Sequence, residues 1–372
     1  MIMFGTNHYV PILRWKQAER LALHRLRSDD KARMTPVIEI PPKSFFPKKR
    51  VEATERKSAT ESLLVNELAP DPGSVLRRHA KEILRFWGNS PFFLELAYLE
   101  GAVPAINGSV HPLTYLSDLG RSYRLKLVPV TGLDRPVRYQ TAVATAVRTD
   151  RNGLCLRVSP SELLEVNLPR RLEQFLDGLG VKASDLDLLV DYGVFDPDAP
   201  RIRELLLRVP QLRKWRSLIL ARGAFPKDLQ NFEPGAHRIG RSDWTSWKDE
   251  LRQRGRQRWP SFSDYTIQYG RYVEPVDNAN PSASIRYTLD EEWLIMRGEG
   301  IFNEDGPGRA QWNANAMLLM ERDEFYGEAF SDGDTYIAEM SRKPKDHGSP
   351  MTWIRAGLNH HMSVVSRQIG AL

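Results

Sequence analysis

The sequence has a single cysteine and lacks any long apolar run. Among the 372 residues Cys155 stands alone, which excludes an internal disulfide and any cysteine-based metal cluster. No stretch approaches the roughly 18 consecutive apolar residues that a membrane-spanning helix needs, so we expect no membrane segment. The first ten residues have neither the basic start nor the apolar core of a signal peptide. We therefore expect a soluble, cytoplasmic chain.

The motifs that define several enzyme classes are also absent. The sequence has no Walker-type phosphate loop, no H-E-x-x-H motif and no convincing Ser–His–Asp arrangement. His360 and His361 are adjacent, so their side chains diverge on a helix and form a poor metal-binding pair. Cys155 lies inside an apolar run, which fits a core position better than a nucleophile.

The charge balance is basic, and arginine supplies most of it. Lys and Arg total 53 and Asp and Glu total 47, which gives a formal net charge of +6 and a pI near 9.3. The 39 Arg outnumber the 14 Lys. Either genomic base composition or an anionic ligand held by guanidinium groups explains this excess. The contents of 41% hydrophobic and 27% charged residues are ordinary for a globular protein, and they exclude a disordered, collagen-like or coiled-coil chain.

Eight short apolar runs recur through the first three quarters of the chain. Most are nearly continuous in Val, Ile, Leu and Phe, which is typical of parallel strands buried on both faces. The predicted strands are 10–15, 35–40, 92–97, 125–131, 154–159, 186–192, 217–221 and 262–267. Helical patterns separate many of them, at 17–26, 75–87, 139–148, 161–179, 202–209 and 243–254, with Ser161 as a candidate N-cap.

This alternation predicts an α/β fold, a (β/α)8 TIM-like barrel. The alternative is an open doubly wound sheet, but the first strand is not followed by a glycine-rich dinucleotide loop. Beyond the eighth strand we predict a strand pair (284–288 and 293–297), a helix (310–325), a turn (331–334) and a last helix (359–369). We expect residues 1–272 to form the barrel. Residues 273–372 would be a C-terminal β-hairpin and helical extension that completes the same domain.

Charged and aromatic side chains at the strand ends mark the candidate site, because barrel enzymes carry their active sites at the carboxyl ends of the strands. These side chains are Lys16, Glu39, Glu95, Arg157, Asp191, Tyr192, Arg222, Asp264 and Tyr265. Glu39 and Asp191 are the sharpest signals, because a carboxylate inside an apolar run is costly unless it is paired or functional. Either both acids pair with Lys16 and Arg157 to fix the barrel mouth, or they form a polar site.

A polar site of mixed charge would combine acid–base or metal chemistry with anion binding. We predict Glu39, Asp191, Asp264 and Lys16 as catalytic residues, with Mg²⁺ or Mn²⁺ as the candidate cofactor and no metal ligands assigned. We predict Arg157, Arg286, Tyr265, Tyr287 and His360 as substrate-binding residues. The long connection 41–74 emerges on the same face, as do Arg135, Arg138 and Arg271. That connection carries Lys43, Lys48, Lys49, Arg50, Arg56 and Lys57. This placement favours an anionic ligand.

Several segments together resemble the phage-type Beta protein family. The segments are 9–23, 36–40, 189–193, 262–265, 285–287, 293–298 and 357–361, in one order along nearly the whole chain. Members usually carry Gly before the Asp264–Tyr265 pair, where this sequence has Ser263. The resemblance implies one folded unit and a phage or defence setting in bacteria, and it implies no particular reaction.

Two functional hypotheses follow from the residues. The first is a barrel enzyme, a metal-dependent hydrolase or phosphodiesterase, that acts on a phosphate-bearing substrate such as a nucleic acid or nucleotide. The alternative is a non-catalytic subunit of an anti-phage defence system that binds nucleic acid or a protein partner. In that case the same charges would be structural pairs and surface contacts.

Overall fold

The computed structural model describes residues 5–46, 70–252, 258–274, 279–343 and 345–372. Five of the basic residues that we predicted on the site face lie outside these ranges: Lys48, Lys49, Arg50, Arg56 and Lys57. None of the helices in the described ranges is both long enough and apolar enough to cross a membrane.

Eight parallel strands follow one another around the main sheet in chain order. They are β1 (Ile12–Leu13), β2 (Val37–Glu39), β3 (Phe92–Glu95), β4 (Leu127–Thr131), β5 (Leu154–Val158), β6 (Leu186–Val194), β7 (Ser217–Gly223) and β9 (Ser261–Ser263), with β8 (Gly235–Gly240) belonging to a second sheet. Each strand of the main sheet overlaps one of the eight predicted runs. The predicted (β/α)8 class is confirmed.

The first and last strands of the main sheet meet and close the barrel. Tyr9 pairs with Phe262 in parallel register, next to β1 and β9. The backbone N–H of Val10 donates to the carbonyl of Phe262 at 2.9 Å, and that of Ile12 donates to the carbonyl of Asp264 at 2.9 Å. Closure leaves neither strand with a free edge at this seam.

Apolar side chains fill the barrel interior. One buried cluster takes a residue or two from most strands and comprises Val10, Ile12, Val37, Phe93, Val128, Val130, Cys155, Leu189, Ile219, Ala221 and Tyr265. Cys155 is fully buried within it, as its apolar run predicted. Because this part of the interior is a packed core, polar chemistry is confined to the ends of the strands.

Helices lie outside the barrel between successive strands. They are α1 (Gln17–His24), α2 (Ser28–Ala32), α3 (Pro72–Phe86), α4 (Pro112–Ser122), α5 (Val137–Asp150), α6 (Pro160–Leu164), α7 (Leu168–Leu179), α8 (Ile202–Leu206) and α9 (Ser242–Arg252). Short 3-10 turns lie at Pro42–Ser44, Ala97–Leu99, Ala183–Asp185, Leu212–Lys214 and Gly308–Ala310.

The helix predicted over residues 161–179 is in fact two helices, α6 and α7. Ser159, not Ser161, is the N-cap of α6, because its hydroxyl accepts from the backbone N–H of Glu162. The Glu162 carboxylate in turn accepts from the Ser159 backbone N–H, and Pro160 occupies the first helical position. This is a capping box, and it fixes where the helix begins.

The extension contributes two strands to a second sheet, whose third strand is β8, and adds three helices. Strand β8 pairs antiparallel with β11 (Glu292–Arg297), which pairs antiparallel with β10 (Ile285–Thr288). The helices are α10 (Gln311–Met320), α11 (Asp332–Ser341) and α12 (Pro350–Gly370). Neither β8 nor α11 was predicted, and α12 begins well before the predicted residue 359.

The long helix α12 occupies the place of the eighth barrel helix. It packs against α1 and α2, and its Leu358, Met362, Val365 and Ile369 join the same apolar core as the barrel helices. The strands β10 and β11 and the helices α10 and α11 are therefore inserted between the eighth strand of the barrel and its helix, whereas β8 lies between the seventh and the eighth strand. The predicted division at residues 272 and 273 stays a prediction.

Candidate active site at the barrel mouth

Arg157 is the centre of the polar cluster at the barrel mouth. It stands at the end of β5 and donates from Nε and Nη2 to Asp191 Oδ2 at 2.9 and 2.7 Å. From Nη1 it donates to Glu39 Oε1 at 2.7 Å and to Glu95 Oε2 at 3.5 Å. The remaining Nη2 proton reaches the Tyr265 hydroxyl at 3.0 Å. All five guanidinium protons therefore have acceptors within the protein.

Glu39 is the most deeply buried acid of this cluster. Its side chain is fully buried, and burial raises the pKa of the carboxyl although Arg157 opposes the shift. One oxygen accepts from Arg157, but Oε2 has no hydrogen-bond partner among the described residues. Arg14 Nε lies 3.8 Å from that oxygen, beyond hydrogen-bond reach.

Glu95 faces the same guanidinium because β2 and β3 pair in register, with Glu39 opposite Glu95. Its Oε2 also accepts from Arg135 at 3.1 Å, and its Oε1 accepts from the Ala97 N–H at 2.8 Å. Sequence reasoning noted Glu95 at a strand end but did not place it in the site. The sequence did offer a signal for Glu95: it ends β3 in the same way that Glu39 ends the neighbouring strand β2.

Asp191 is the acid of this cluster that opens to solvent. Its Oδ2 accepts from Arg157 and from the Tyr265 hydroxyl at 2.7 Å, and its Oδ1 accepts from the Gly193 N–H at 2.8 Å. Tyr265, Arg157 and Asp191 together line a cavity of about 820 Å³ at the carboxyl ends of the strands. This volume falls within the range of small-molecule binding sites.

Two tyrosines that the sequence analysis did not single out also line this cavity. Tyr98 and Tyr272 line it with ring centroids 5.0 Å apart. Burial raises the pKa of Tyr98 to about 12, with a further contribution from the Glu39 carboxylate. Arg271 also lines the cavity, and Lys16 places its ammonium 5.9 Å from the Tyr272 ring centroid. Burial lowers the pKa of Lys16.

The structure separates Asp264 from the other predicted catalytic acids. Tyr265 points into the mouth, whereas neighbouring Asp264 points outward beneath α12, because successive side chains of an extended segment face opposite ways. Asp264 accepts from Tyr9 at 2.6 Å and lies 2.9 Å from His361 Nε2. Burial works to raise its pKa, but His361 and these hydrogen bonds outweigh it and lower the pKa.

Three predicted substrate-binding residues also lie away from the cavity. Arg286 is half-buried and donates to the carbonyl of Ile267 at 2.8 Å. The Tyr287 hydroxyl donates to Asp334 at 2.7 Å, and its ring stacks on His360 at 3.8 Å. Both nitrogens of His360 are engaged, one 2.9 Å from Asp334 and the other 2.8 Å from the carbonyl of Thr288. These contacts join β10, α11 and α12.

A family model described as Beta protein matches residues 9–367, nearly the whole chain. The chain belongs to the Beta protein family. This confirms the resemblance seen in the sequence. No curated protein matches the chain. Among solved structures, a mutant tryptophan synthase alpha-subunit from the hyperthermophile Pyrococcus furiosus has 15% sequence identity and a TM-score of 0.36, covering 71% of this chain and 90% of that one.

The mouth of this Beta protein family member offers acid–base groups rather than a metal site. Within the described ranges no three His, Cys, Asp or Glu side chains are grouped so as to hold a metal ion. Glu39 and Asp191 do approach each other, but the Arg157 guanidinium lies between them and donates hydrogen bonds to both. A divalent cation there would have to displace Arg157, so the residues present do not fit Mg²⁺ or Mn²⁺.

Proposed function

We propose that the protein is an enzyme whose active site is the cavity at the barrel mouth, with a phosphate-bearing small molecule or nucleic acid end as substrate. The observation that carries the proposal is the arrangement of Arg157, Asp191 and Tyr265 along one wall of that cavity. A carboxylate that is fixed by three donor residues yet open to solvent is suited to proton transfer. Asp191 is therefore the acid–base group in this proposal.

The remaining groups hold this acid in place and bind the anion. Arg157 has no free proton for a phosphate, so its role is to orient Asp191, while Glu39 and Glu95 hold Arg157 from below. Arg271 lines the cavity, and Lys16 lies behind it against the ring of Tyr272; in this proposal the two supply the positive charge for the phosphate. This changes the role that sequence reasoning gave to Arg157.

Turnover of chromogenic phosphate esters tests the proposal. We expect the purified chain to hydrolyse p-nitrophenyl phosphate or bis-p-nitrophenyl phosphate, with Asp191→Asn lowering kcat by about 100-fold or more, as loss of a general acid–base group does. Arg271→Ala should raise KM and leave kcat less affected. Arg309→Ala, an exposed arginine on the extension, is the matched control. Equal rates for wild type and Asp191→Asn would overturn the assignment.

Saturation of Arg157 by protein acceptors favours the second candidate, a binding module without chemistry. In that case the mouth cluster is a structural ion network, and the basic residues around it form a contact surface. Affinity for single-stranded DNA or RNA that falls steeply with salt, with no turnover of any ester, would favour this candidate. The phage or defence setting implied by the family resemblance stays a prediction.

A further inference from the structure

The chain contains two Asn-Gly pairs, and the structure places them in opposite environments. Asn107–Gly108 lies in the loop after β3, whereas Asn152–Gly153 connects α5 to β5. In an Asn-Gly pair the asparagine side chain is open to attack by the next backbone nitrogen, because glycine has no side chain to shield that nitrogen. The two pairs have the same intrinsic chemistry, so the fold around each one decides how it behaves.

Asn107 and Gly108 are the central residues of an exposed β-turn. The Ser109 N–H donates to the carbonyl of Ile106 at 3.2 Å, and φ is +51° at Asn107 and +78° at Gly108. Positive φ at both positions is typical of the type I′ turn that Asn-Gly favours. Both residues are exposed, and the Asn107 side chain makes no hydrogen bond to another residue that the structure describes. The Asn107 amide is therefore free to rotate.

The Gly108 nitrogen is also loosely held. Its N–H donates to the carbonyl of Ala105 at 3.4 Å, which is longer than an ordinary N–H···O bond. No atom lies within 4 Å of a Cβ built on Gly108, so the space around this residue is open. The amide carbon of Asn107 can therefore approach the Gly108 nitrogen without displacing a packed side chain.

Hydrogen bonds and close packing hold the second pair in place. The Asn152 side-chain amide donates to the carbonyl of Leu127 at 3.1 Å, and the Asn152 carbonyl accepts from Arg216 at 2.9 Å. Gly153 is buried, and a Cβ added to it would overlap the carbonyl oxygen of Asp185. The peptide group between Asn152 and Gly153 therefore has no room to rotate, and the side-chain amide is already engaged.

We propose that Asn107 is a site of spontaneous deamidation in the folded protein and that Asn152 is protected from it. The Gly108 nitrogen gives up its proton and bonds to Cγ of Asn107, while the side-chain nitrogen leaves as ammonia. The product is a five-membered succinimide ring in which the Gly108 nitrogen joins two carbonyl carbons. Water then breaks one of these two bonds. Cleavage at Cγ gives aspartate, and cleavage at the main-chain carbonyl carbon gives isoaspartate.

Both products change the turn. Each adds a negative charge at position 107, and isoaspartate also lengthens the main chain by one carbon. Ile106 and Val110 close this loop with two backbone hydrogen bonds, of 2.7 and 2.9 Å. A longer main chain between them no longer matches this pair of bonds, so we expect isoaspartate to loosen the loop. The modification is independent of the function proposed for the mouth.

Peptide mapping by mass spectrometry tests the proposal. The folded wild-type protein is incubated in mildly alkaline buffer, and succinimide, aspartate and isoaspartate are followed over time in the peptides that carry Asn107 and Asn152. We expect deamidation at least about tenfold faster at Asn107, because Asn152 must first give up its two hydrogen bonds. Equal rates at the two sites, or an intact Asn107 in the folded protein, would overturn the proposal.

The unfolded chain is the matched control. In concentrated urea both pairs lose their surroundings, so Asn107 and Asn152 should deamidate at similar rates. The protection of Asn152 should therefore disappear on unfolding. A rate ratio that is the same in the folded and the unfolded chain would show that local sequence sets the difference, and it would overturn the role assigned to the fold. The comparison needs no variant and is unaffected by any folding defect.

Discussion

At the scale of single residues, the burial of a charged side chain decides how much its ion pairs contribute to stability. Arg157 is only 15% exposed and serves three carboxylates, two of which are almost wholly buried. Removing one partner of a buried ion network leaves the others uncompensated, and this costs far more than losing a surface pair. The mouth cluster should therefore contribute strongly to stability as well as to any chemistry.

Substitution of Arg157 measures this contribution. We expect Arg157→Ala to lower the free energy of unfolding by about 3–5 kcal/mol, because the buried Glu39 loses the guanidinium that hydrogen-bonds to it and Glu95 keeps only Arg135 as an ion-pair partner. Arg342→Ala breaks the exposed pair with Glu328 and should cost less than about 1 kcal/mol. Urea unfolding of both variants gives the comparison. Similar losses would mean that the mouth network is no more than a surface ion pair.

Another buried acid, Asp243, makes the free energy of unfolding depend on pH. Burial and the nearby Asp264 carboxylate raise the pKa of Asp243 from 3.8 to about 7. Between these values the folded protein keeps a proton that the unfolded chain has lost. Stability from this group is therefore greatest below pH 4 and falls as the pH rises towards 7, by up to about 1.4 kcal/mol per pH unit.

Asp243→Asn removes this titration and keeps one of the two oxygens that accept from the backbone N–H groups of Ala224 and Trp244, while the other oxygen becomes an amide nitrogen. We expect the difference in unfolding free energy between wild type and variant to shrink or reverse as the pH rises from 4.5 to 7. Urea unfolding at several pH values in this window is the measurement. A difference that does not vary with pH would contradict the raised pKa.

The strand-end acids also show what the sequence can reveal at this scale. The alternation of apolar runs with helical patterns was enough to place Glu39, Asp191 and Arg157 at one end of the barrel. The sequence could not show that Tyr265 points into the mouth and Asp264 away from it, because a one-residue difference in register reverses the face. Nor could it bring Tyr98 and Tyr272 together, since their contact depends on how two loops fold over the strands.

At the scale of elements, the strands of the barrel were easier to predict than β8 and the helices of the extension. Buried parallel strands are nearly continuous apolar runs, whereas β8 is mostly exposed and built from Gly, Ala, His, Arg and Ile. The segment at Ser331 was predicted as a turn because the residue types that form turns also cap helices. The structure shows Ser331 as the N-cap of α11, with its hydroxyl bonded to the Asp334 N–H.

Helix α12 packs so closely against its neighbours that a side chain at Gly357 would overlap them. A Cβ added to Gly357 would lie 2.7 Å from the carbonyl oxygen of Arg286 and 2.8 Å from Ile267 Cδ1. We expect Gly357→Ala to destabilise the protein by about 1–3 kcal/mol through this overlap, despite the higher helix propensity of alanine.

Gly178 in α7 is the matched control. No atom lies within 4 Å of a Cβ built there, so Gly178→Ala should stabilise the protein by up to about 1 kcal/mol. Chemical unfolding of the two variants should give changes of opposite sign. Stabilisation by both substitutions would mean that α12 moves freely away from β10.

At the scale of the whole molecule, we propose that the barrel and the extension form one cooperative unit. Helix α12 supplies apolar residues to the core of the barrel helices, and its His361 contacts Asp264 at the end of the eighth strand. In a fragment of residues 1–272 that carboxylate would keep its bond from Tyr9 but lose His361, and α1 would lose its largest helix contact.

We therefore expect the 1–272 fragment to show no cooperative thermal transition, whereas the full chain unfolds in a single one. Circular dichroism and calorimetry of both forms are the measurements, with the full chain as the control. A sharp transition in the fragment, with near-native helix content, would show that the barrel is complete without α12.

The seam of the barrel also has a consequence for synthesis on the ribosome. The backbone N–H groups of Val10 and Ile12 find their acceptors at Phe262 and Asp264, and the largest helix contact of α1 is with α12. At roughly 5–20 residues per second, the nascent chain waits tens of seconds with an unpaired strand edge and an apolar helix face exposed. We expect chaperones that recognise such surfaces to hold this chain through most of its translation.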